Sequence, residues 1–318
     1  MEYKKLGLTE LEISRIGFGC WAIGGHGYGK VDDKASIKAI RKALDLGINF
    51  FDTADVYGFG HSEIILSKAL SSQRGKVIIA TKFGVNWDEN GNTFYDCSPK
   101  RVVEAVEGSL RRLKIDCIPL YQIHWYDNTT PISETIESLK KCQEAGKIHY
   151  IGCSNFSAKL ILEVSRISRI ETIQFLYNII QRDLEKDILE CVESLKIGSL
   201  AYGVLARGLL SGKYDLTTKF GDNDTRSRDK EFQEYQFKNN LQLVEVLKQI
   251  GMRYSKTPSH VSIRWALDNP FITCCIVGAK TKEQVAENVL SLDWKLKKGD
   301  IDIINSFKQN MIRTTKNV

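Results

Sequence analysis

The chain repeats one unit eight times, a short run of apolar residues followed by a helix-length stretch with apolar residues every three or four positions. Runs that are apolar throughout are typical of parallel strands that are buried on both faces. The predicted strands lie at residues 16–19, 48–51, 77–80, 117–123, 150–153, 172–176, 199–201 and 274–277. Eight strands alternating with helices over 318 residues predict an α/β fold, a closed (β/α)8 TIM barrel, in a single domain of residues 1–318.

Four segments lie outside this repeat. Residues 3–15 alternate and turn at Gly7, which predicts an N-terminal β-hairpin before the barrel. Residues 24–30 are rich in glycine and predict a loop over a pocket, and residues 85–97 are read as a further loop. After the seventh strand, residues 204–234 form a polar segment too long for an ordinary connection, so we expect a long loop that lies over the site.

The helices carry clear start signals. Ser98 and Pro99 suit the N-cap and first position of a helix, and Val103 and Val106 belong to its predicted buried stripe. Thr281-x-x-Gln284 predicts a capping box at the start of the helix after the last strand. A doubly wound sheet remains the alternative fold, although no G-x-G-x-x-G follows the first strand.

Polar residues follow the ends of several predicted strands. In a barrel of this type, the segments after the strands form the active face, so these side chains are expected to meet there. They are Asp52, Tyr57, Lys82, His124, Ser154, Asn155 and Tyr202. Scattered structural polar residues have no reason to select one edge of a barrel, which favours a functional site.

The residue types indicate proton donation to an oxygen. A free tyrosine has a pKa of about 10, and a neighbouring ammonium such as Lys82 would stabilise its phenolate. Asp52 would hold that lysine charged, and His124 would orient the phenol or the ligand oxygen. Such a set suits carbonyl reduction, for which the hydride must come from a cofactor.

At this point the sequence resembles the aldo-keto reductase family over nearly its whole length. The matching segments are GFGCW at 17–21, FDTADVYGFGHSE at 51–63, ATKFG at 80–84, QIHWYD at 122–127, IGCSNF at 151–156, YN at 177–178, AYGVLARGLLSGKY at 201–214 and IVGAKTKEQVAENV at 276–289. The branch it resembles most is the bacterial type together with the potassium-channel beta subunits. Valine at position 204, where family members often have proline or serine, is a departure that alters a turn.

The resemblance implies an NADP-dependent enzyme that reduces aldehydes or ketones to alcohols. It assigns the role of general acid/base to Tyr57. Asp52 and Lys82 tune that group, and His124 orients the carbonyl. The residues it assigns to the cofactor are Gly19, Trp21, Asp52, Ser154, Asn155, Gln174, Tyr202, Gly203, Val204, Leu205, Arg207, Gly208, Lys213, Gly278, Lys280, Gln284, Glu287 and Asn288.

Within that set the resemblance distinguishes three parts of the cofactor. Ser154, Asn155 and Gln174 would bind the nicotinamide carboxamide, and Tyr202 would stack on its ring. Residues 203–213 would wrap the pyrophosphate, and residues 278–288 would hold the adenosine end. Lys280, just before a helix start, is a favourable place for a 2′-phosphate, so NADPH is expected over NADH. Arg226 is expected either to fold over the cofactor, to bind substrate, or to remain solvated.

Composition excludes several other classes. The net charge of +6 is diffuse, with no basic cluster interleaved with aromatics, so no nucleic-acid partner is expected. No apolar run approaches the length of a membrane span, and MEYKKLG carries no signal segment, so we expect a cytoplasmic protein. The eight cysteines lack the spacing of a zinc site, and no metal is expected. The expected partner is a small-molecule carbonyl substrate, and the oligomeric state stays open.

A second hypothesis belongs to a different class. Potassium-channel beta subunits resemble this sequence and retain similar motifs. The chain would then be a regulatory or binding subunit that senses the cofactor.

Overall fold

The strands form a closed parallel barrel. A computed structural model describes residues 1–25, 31–221 and 224–315, with side chains described as far as Phe307. Residues 26–30 of the glycine-rich stretch therefore lie outside the described residues. The barrel strands are β3 (Ile16–Gly19), β4 (Phe50–Asp52), β5 (Ile78–Phe83), β8 (Ile118–Ile123), β9 (Ile148–Ser154), β10 (Thr172–Leu176), β11 (Gly198–Tyr202) and β12 (Cys274–Gly278). Each pairs in parallel with the next along the chain, and β12 pairs with β3, so the (β/α)8 prediction is confirmed.

Helices follow the strands and surround the barrel. They are α1 (Asp33–Asp45), α2 (His61–Leu70), α3 (Pro99–Leu113), α4 (Ile132–Glu144), α5 (Ala158–Ile167), α6 (Ile188–Ser194), α7 (Glu234–Met252), α8 (Pro258–Asp268), α9 (Lys282–Val289) and α10 (Lys298–Thr315). Ser98 caps α3 as predicted, accepting from Arg101 N at 3.3 Å. The buried face of α3 is carried by Val102 and Val106, and Val103 is 45% exposed, so that part of the stripe prediction is wrong. Among the described residues, no helix has the length and apolar character needed to span a bilayer.

The N-terminal hairpin packs across one end of the barrel. Its strands β1 (Tyr3–Lys5) and β2 (Glu12–Ser14) pair antiparallel, as predicted. Leu6 and Ile13 are fully buried and join one apolar cluster with residues from five barrel strands. Burial of such side chains contributes about 1.5–3 kcal/mol each. The hairpin thereby closes the amino-terminal end, and the carboxyl ends of the strands are left as the open face.

Two segments differ from the sequence predictions. The predicted loop 85–97 contains an antiparallel hairpin, β6 (Val85–Trp87) and β7 (Thr93–Tyr95). Its signal was the Asn90-Gly91 pair, since Gly91 adopts φ +79° as hairpin turns require. The long segment after β11 contains short 3-10 helices at Ala206–Ser211, Thr225–Arg228 and Lys230–Phe232.

Several strand ends also differ from the prediction. β4 runs to Asp52 and β5 to Phe83, so Asp52 and Lys82 lie within strands instead of just beyond them. Ser154 and Tyr202 are likewise the last residues of β9 and β11. A prediction from apolar runs ends each strand at the first polar residue. In the structure, polar residues occupy the last positions of these strands and still pair with the neighbouring strands.

Candidate active site

The buried core of the site is an ion pair between two neighbouring barrel strands. Lys82 Nζ donates to Asp52 Oδ2 at 2.7 Å and to the Thr53 carbonyl at 2.8 Å. Lys82 is fully buried and Asp52 is 3% exposed. A third and longer contact joins Lys82 Nζ to the Tyr57 hydroxyl at 3.4 Å. A charge this deeply buried requires its partner, and the ammonium is directed at the phenol.

Asp52 has a second partner that the sequence did not indicate. Gln174 Nε2 donates to Asp52 Oδ1 at 2.7 Å, although these residues are 122 positions apart. Gln174 is 2% exposed. Both carboxylate oxygens of Asp52 are therefore held, which fixes the plane of the carboxylate and with it the position of Lys82. The amide nitrogen of Gln174, expected at a carboxamide, is committed to this contact.

The aromatic ring of Tyr57 lies between the rings of two other residues. The indole of Trp21 stacks on it with centroids 6.2 Å apart, and the His124 imidazole meets it edge-on at 5.6 Å. The turn that carries Tyr57 is fixed by the backbone, since Tyr57 N donates to Ala54 O and Ser62 N donates to Tyr57 O. The phenol is thus fixed from both sides and points toward Lys82.

The same turn depends on Gly58. Its φ is +61°, and a Cβ built on it would lie 1.8 Å from the Gly24 carbonyl oxygen. We expect Gly58→Ala to lower the free energy of unfolding by about 1–3 kcal/mol, because the side chain meets both a clash and a disfavoured φ. Urea unfolding measures this. Gly299→Ala is the control, since nothing lies within 4 Å there and alanine should be neutral or stabilising. Equal stability of the two variants would contradict the argument.

His124 is held in its neutral form. Burial, and after it the positive charge of Lys82, lower the pKa of His124 well below its ordinary value. Its Nδ1 has no hydrogen-bond partner among the described residues. A neutral imidazole beside a phenol can donate or accept one hydrogen bond without adding charge, which suits orientation of a carbonyl oxygen.

Three further predicted residues form a chain along the same face. Tyr202 Oη donates to Asn155 Oδ1 at 2.8 Å, and Asn155 Nδ2 donates to Ser154 Oγ at 3.0 Å and to the His124 carbonyl at 3.1 Å. Asn155 has φ +61°, a conformation that asparagine tolerates better than most residues. Burial raises the pKa of Tyr202 to about 12, so its hydroxyl remains protonated.

The segment after β11 has an unusual backbone. Ala206, Arg207 and Gly208 all have positive φ, at +45°, +55° and +89°. Non-glycine residues in this region are strained, and such strain persists where the surroundings fix it, often at functional sites. The Arg207 guanidinium lies 5.7 Å from the Trp21 ring centroid and 3.2 Å from Asp229. Gly203 and Val204, the latter buried, precede this turn.

A group of cations forms the far end of the site. Burial, and then the charges of Arg226 and Lys213, lower the pKa of Lys280, and Asp224 acts in the opposite direction. Arg226 donates to Asp224 through two nitrogens, at 2.8 and 2.5 Å, and also contacts the Tyr214 hydroxyl. The structure therefore brings Arg226 to the Lys280 region. Among the residues that the structure describes, the charges that act on Lys280 are those of Arg226, Lys213 and Asp224.

The remaining predicted residues lie on or before α9. The Thr281 hydroxyl caps the helix by accepting from Gln284 N at 3.3 Å, but the Gln284 side chain accepts from Lys280 N at 2.7 Å. The cap is thus half of the predicted capping box. Glu287 contacts His260 Nε2 at 3.1 Å. Asn288 is 7% exposed. Gly278 is the last residue of β12 and pairs with Gly19 of β3.

Sequence reasoning missed a second buried cluster beside the site. Asp55 pairs with Arg101 at 2.5 Å, and Glu63 pairs with Arg112 at 2.6 Å. On the β6–β7 hairpin, Trp87 packs on Phe59, with ring centroids 5.5 Å apart.

The donor set fits a dinucleotide with an anionic end. The Tyr57 ring lies between the rings of Trp21 and neutral His124, whereas cations gather about Lys280, as a nicotinamide and a phosphate would respectively require. A Cβ built on Gly278 would find its nearest neighbours at 3.6 and 3.8 Å, so the backbone there is open to close approach.

Comparison with known proteins identifies the family of the chain. The model of the Aldo/keto reductase family matches residues 15–309. The chain is 42% identical to aldo-keto reductase YhdN of Bacillus subtilis, over 98% of this chain and 95% of that protein. It is 33% identical to the NADH-specific methylglyoxal reductase of Escherichia coli, over 97% and 98%. The solved structure of the glycerol dehydrogenase AKR11B4 from Gluconobacter oxydans superposes with a TM-score of 0.90 at 37% identity, covering 96% of this chain and 94% of that one.

These matches together cover every strand of the barrel. The resemblance seen in the sequence is confirmed, and so is the barrel that it implied. Reductases of this family act on small-molecule carbonyl compounds with a nicotinamide cofactor. The chain belongs to the aldo/keto reductase family of carbonyl-reducing oxidoreductases.

Proposed function

We propose that the protein reduces an aldehyde or ketone to the alcohol with NADPH, and that Tyr57 donates the proton. The observation that supports this most directly is the fully buried Lys82, whose ammonium lies 3.4 Å from the Tyr57 hydroxyl. A positive charge at that position stabilises the phenolate that remains after the proton has left. Asp52 keeps the lysine charged, and neutral His124 orients the carbonyl oxygen toward the phenol.

The cofactor is proposed to lie along the open face of the barrel. When bound it supplies the hydride, and the protein supplies the orientation and the proton. Ser154, Asn155 and the side-chain carbonyl of Gln174 are proposed to hold the carboxamide, beside the ring of Tyr202. The residues proposed for the remainder are Gly19, Trp21, Asp52, Gly203, Val204, Leu205, Arg207, Gly208, Lys213, Gly278, Lys280, Gln284, Glu287 and Asn288.

Preference for NADPH is proposed to arise at Lys280. Lys280→Met should weaken NADPH binding about tenfold and leave NADH binding nearly unchanged, because only NADPH carries the 2′-phosphate that the cation pairs with. Titration of each cofactor by tryptophan fluorescence measures this. Lys295→Met is the control, since Lys295 is an exposed lysine on the same part of the chain.

An NADH-preferring wild type would contradict the cofactor proposal. That result would leave the carbonyl chemistry intact, because a relative at 33% identity is named as NADH-specific. Testing both cofactors with the wild type therefore separates the two parts of the proposal.

The function itself is tested with purified protein. Oxidation of NADPH is followed by the loss of its absorbance in the presence of a panel of aldehydes and ketones. The panel includes methylglyoxal, the compound for which one relative is named. Tight cofactor binding with no turnover across the panel would overturn the enzyme proposal and revive the hypothesis of a cofactor-sensing regulatory subunit. The named relatives, a reductase and a dehydrogenase among them, do not favour that hypothesis. A cytoplasmic location and one domain over residues 1–318 stay predictions.

A further inference from the structure

Behind the loop that carries Tyr57, two carboxylates are completely buried. Asp55 and Glu63 are each 0% exposed. Each pairs with an arginine of α3, Asp55 with Arg101 at 2.5 Å and Glu63 with Arg112 at 2.6 Å. Neither carboxylate belongs to the set that contacts Lys82. Buried ion pairs seldom add net stability, so two of them beside an active site call for a further explanation.

The two pairs differ in how well they are satisfied. Glu63 uses both oxygens, since its Oε1 accepts from Thr81 Oγ1 at 2.6 Å. Asp55 uses one, and its Oδ1 has no partner among the described residues. The same is true of the nearby Arg101 Nε and Tyr121 Oη. An ion pair with unsatisfied atoms on both partners is a poor stabilising element, because each buried atom without a partner has lost its hydrogen bonds to water and gained none in return.

Asp55 is nevertheless well placed to act on Tyr57. It lies two residues before Tyr57 in the same turn, and its backbone N donates to the Lys82 carbonyl at 3.2 Å. Its partner Arg101 lies over the Trp87 ring at 5.4 Å, and Trp87 packs on Phe59, two residues after Tyr57. Arg101 therefore contacts the turn on one side directly and on the other through the hairpin.

We propose that Asp55, through its ion pair with Arg101, is a positioning residue that keeps the Tyr57 hydroxyl within reach of Lys82. The inference rests on the proposed role of Tyr57 as proton donor. The contact between Lys82 Nζ and the phenol is already long, at 3.4 Å, so a small outward shift of the turn would break it. Misplacement of a reacting group by about 1 Å can cost about 100-fold in rate.

The positioning of Tyr57 by Asp55 should depend on pH. Burial raises the pKa of Asp55 to about 7, with Arg101 and Arg112 opposing and Glu63 reinforcing the shift. The groups around Asp55 are these two arginines on α3, Glu63 on α2, Tyr121 on β8 and the Lys82 carbonyl on β5. Above pH 7 the carboxylate is charged and pairs with Arg101. As the pH falls through 7, the Asp55 carboxylate takes up a proton and its ion pair with Arg101 weakens. The Tyr57 hydroxyl is then no longer kept within reach of Lys82.

Asp55→Asn in the full chain tests this. It mimics the protonated state at every pH, so the ratio of wild-type kcat to variant kcat should be near one below pH 7. Above pH 7 the ratio should rise to about 10–100, with the KM for NADPH unchanged. Glu63→Gln is the matched control, a buried carboxylate converted to an amide in the neighbouring pair, and it should keep the wild-type pH dependence.

A ratio that does not change with pH, or an equal change in Glu63→Gln, would overturn the proposal. Where Asp55→Asn is too unstable to assay, Asp55→Asn combined with Arg101→Gln removes both buried charges and should show the same ratio. Failure of the proposed function gives a different result. In that case the wild type turns over no carbonyl, or Tyr57→Phe turns over as fast as the wild type.

Discussion

Replacing Tyr57 by phenylalanine should abolish turnover while cofactor binding and folding are retained. The hydroxyl combines a transferable proton with an adjacent buried cation, so its loss should reduce kcat about 100- to 10,000-fold. Lys82 keeps its two shorter contacts to Asp52 and Thr53 without it. The free energy of unfolding should therefore change by no more than about 1 kcal/mol.

The measurement is carbonyl-dependent NADPH oxidation together with a cofactor titration. Tyr150→Phe is the control, since Tyr150 lies on barrel strand β9 and its hydroxyl accepts from Glu10 N at 3.3 Å in the N-terminal hairpin. It removes the same oxygen away from the site and should keep full activity. Substantial turnover by Tyr57→Phe would show that the proton comes from another group, with His124 the first candidate.

The sequence indicated the barrel because that information is local. Each apolar run is long enough to be buried on both faces, and each helix has its own start signal, such as Ser98-Pro99. The rule that parallel strands present their carboxyl ends at one face then brings Asp52, Lys82 and His124 together without any knowledge of their distances. The edge at which the site forms follows from topology alone.

Contacts between distant residues could not be read in this way. The bond from Gln174 to Asp52 and the ion pair of Asp55 with Arg101 depend on the barrel's radius and on helix rotation, which no local pattern encodes. For α3 the sequence placed Val103 inward, whereas Val102 is the buried residue. An error of one position rotates the predicted buried face of the helix by about 100°. That rotation is enough to conceal that Arg101 faces a buried carboxylate.

The hairpin at Val85–Tyr95 shows a different limit. Its turn signal, Asn90-Gly91, was present in the sequence, but the flanking strands are three residues each, and all three side chains of β7 are exposed. Strands of three residues are too short to show the alternation of apolar and polar residues by which a strand is distinguished from a loop. Functional loops are read least well because they lack the apolar pattern that a core imposes.

Lys82→Met should lose activity and stability together, and a second substitution should separate the two. The variant leaves the Asp52 carboxylate buried, held by Gln174 but without its cation. Removing one partner of a buried pair costs about 3–5 kcal/mol, and loss of the ammonium beside the phenol should lower kcat at least about 100-fold.

Adding Asp52→Asn to Lys82→Met removes the uncompensated charge and should recover a large part of the stability, because the amide retains an oxygen for Gln174. Turnover should stay as low as in the single variant, since both variants lack the Lys82 ammonium beside the Tyr57 hydroxyl. Urea unfolding and NADPH oxidation are measured on both variants. Recovery of activity along with stability would mean that Lys82 acts only by supporting the fold. If stability alone recovers, the ammonium itself promotes proton transfer from Tyr57.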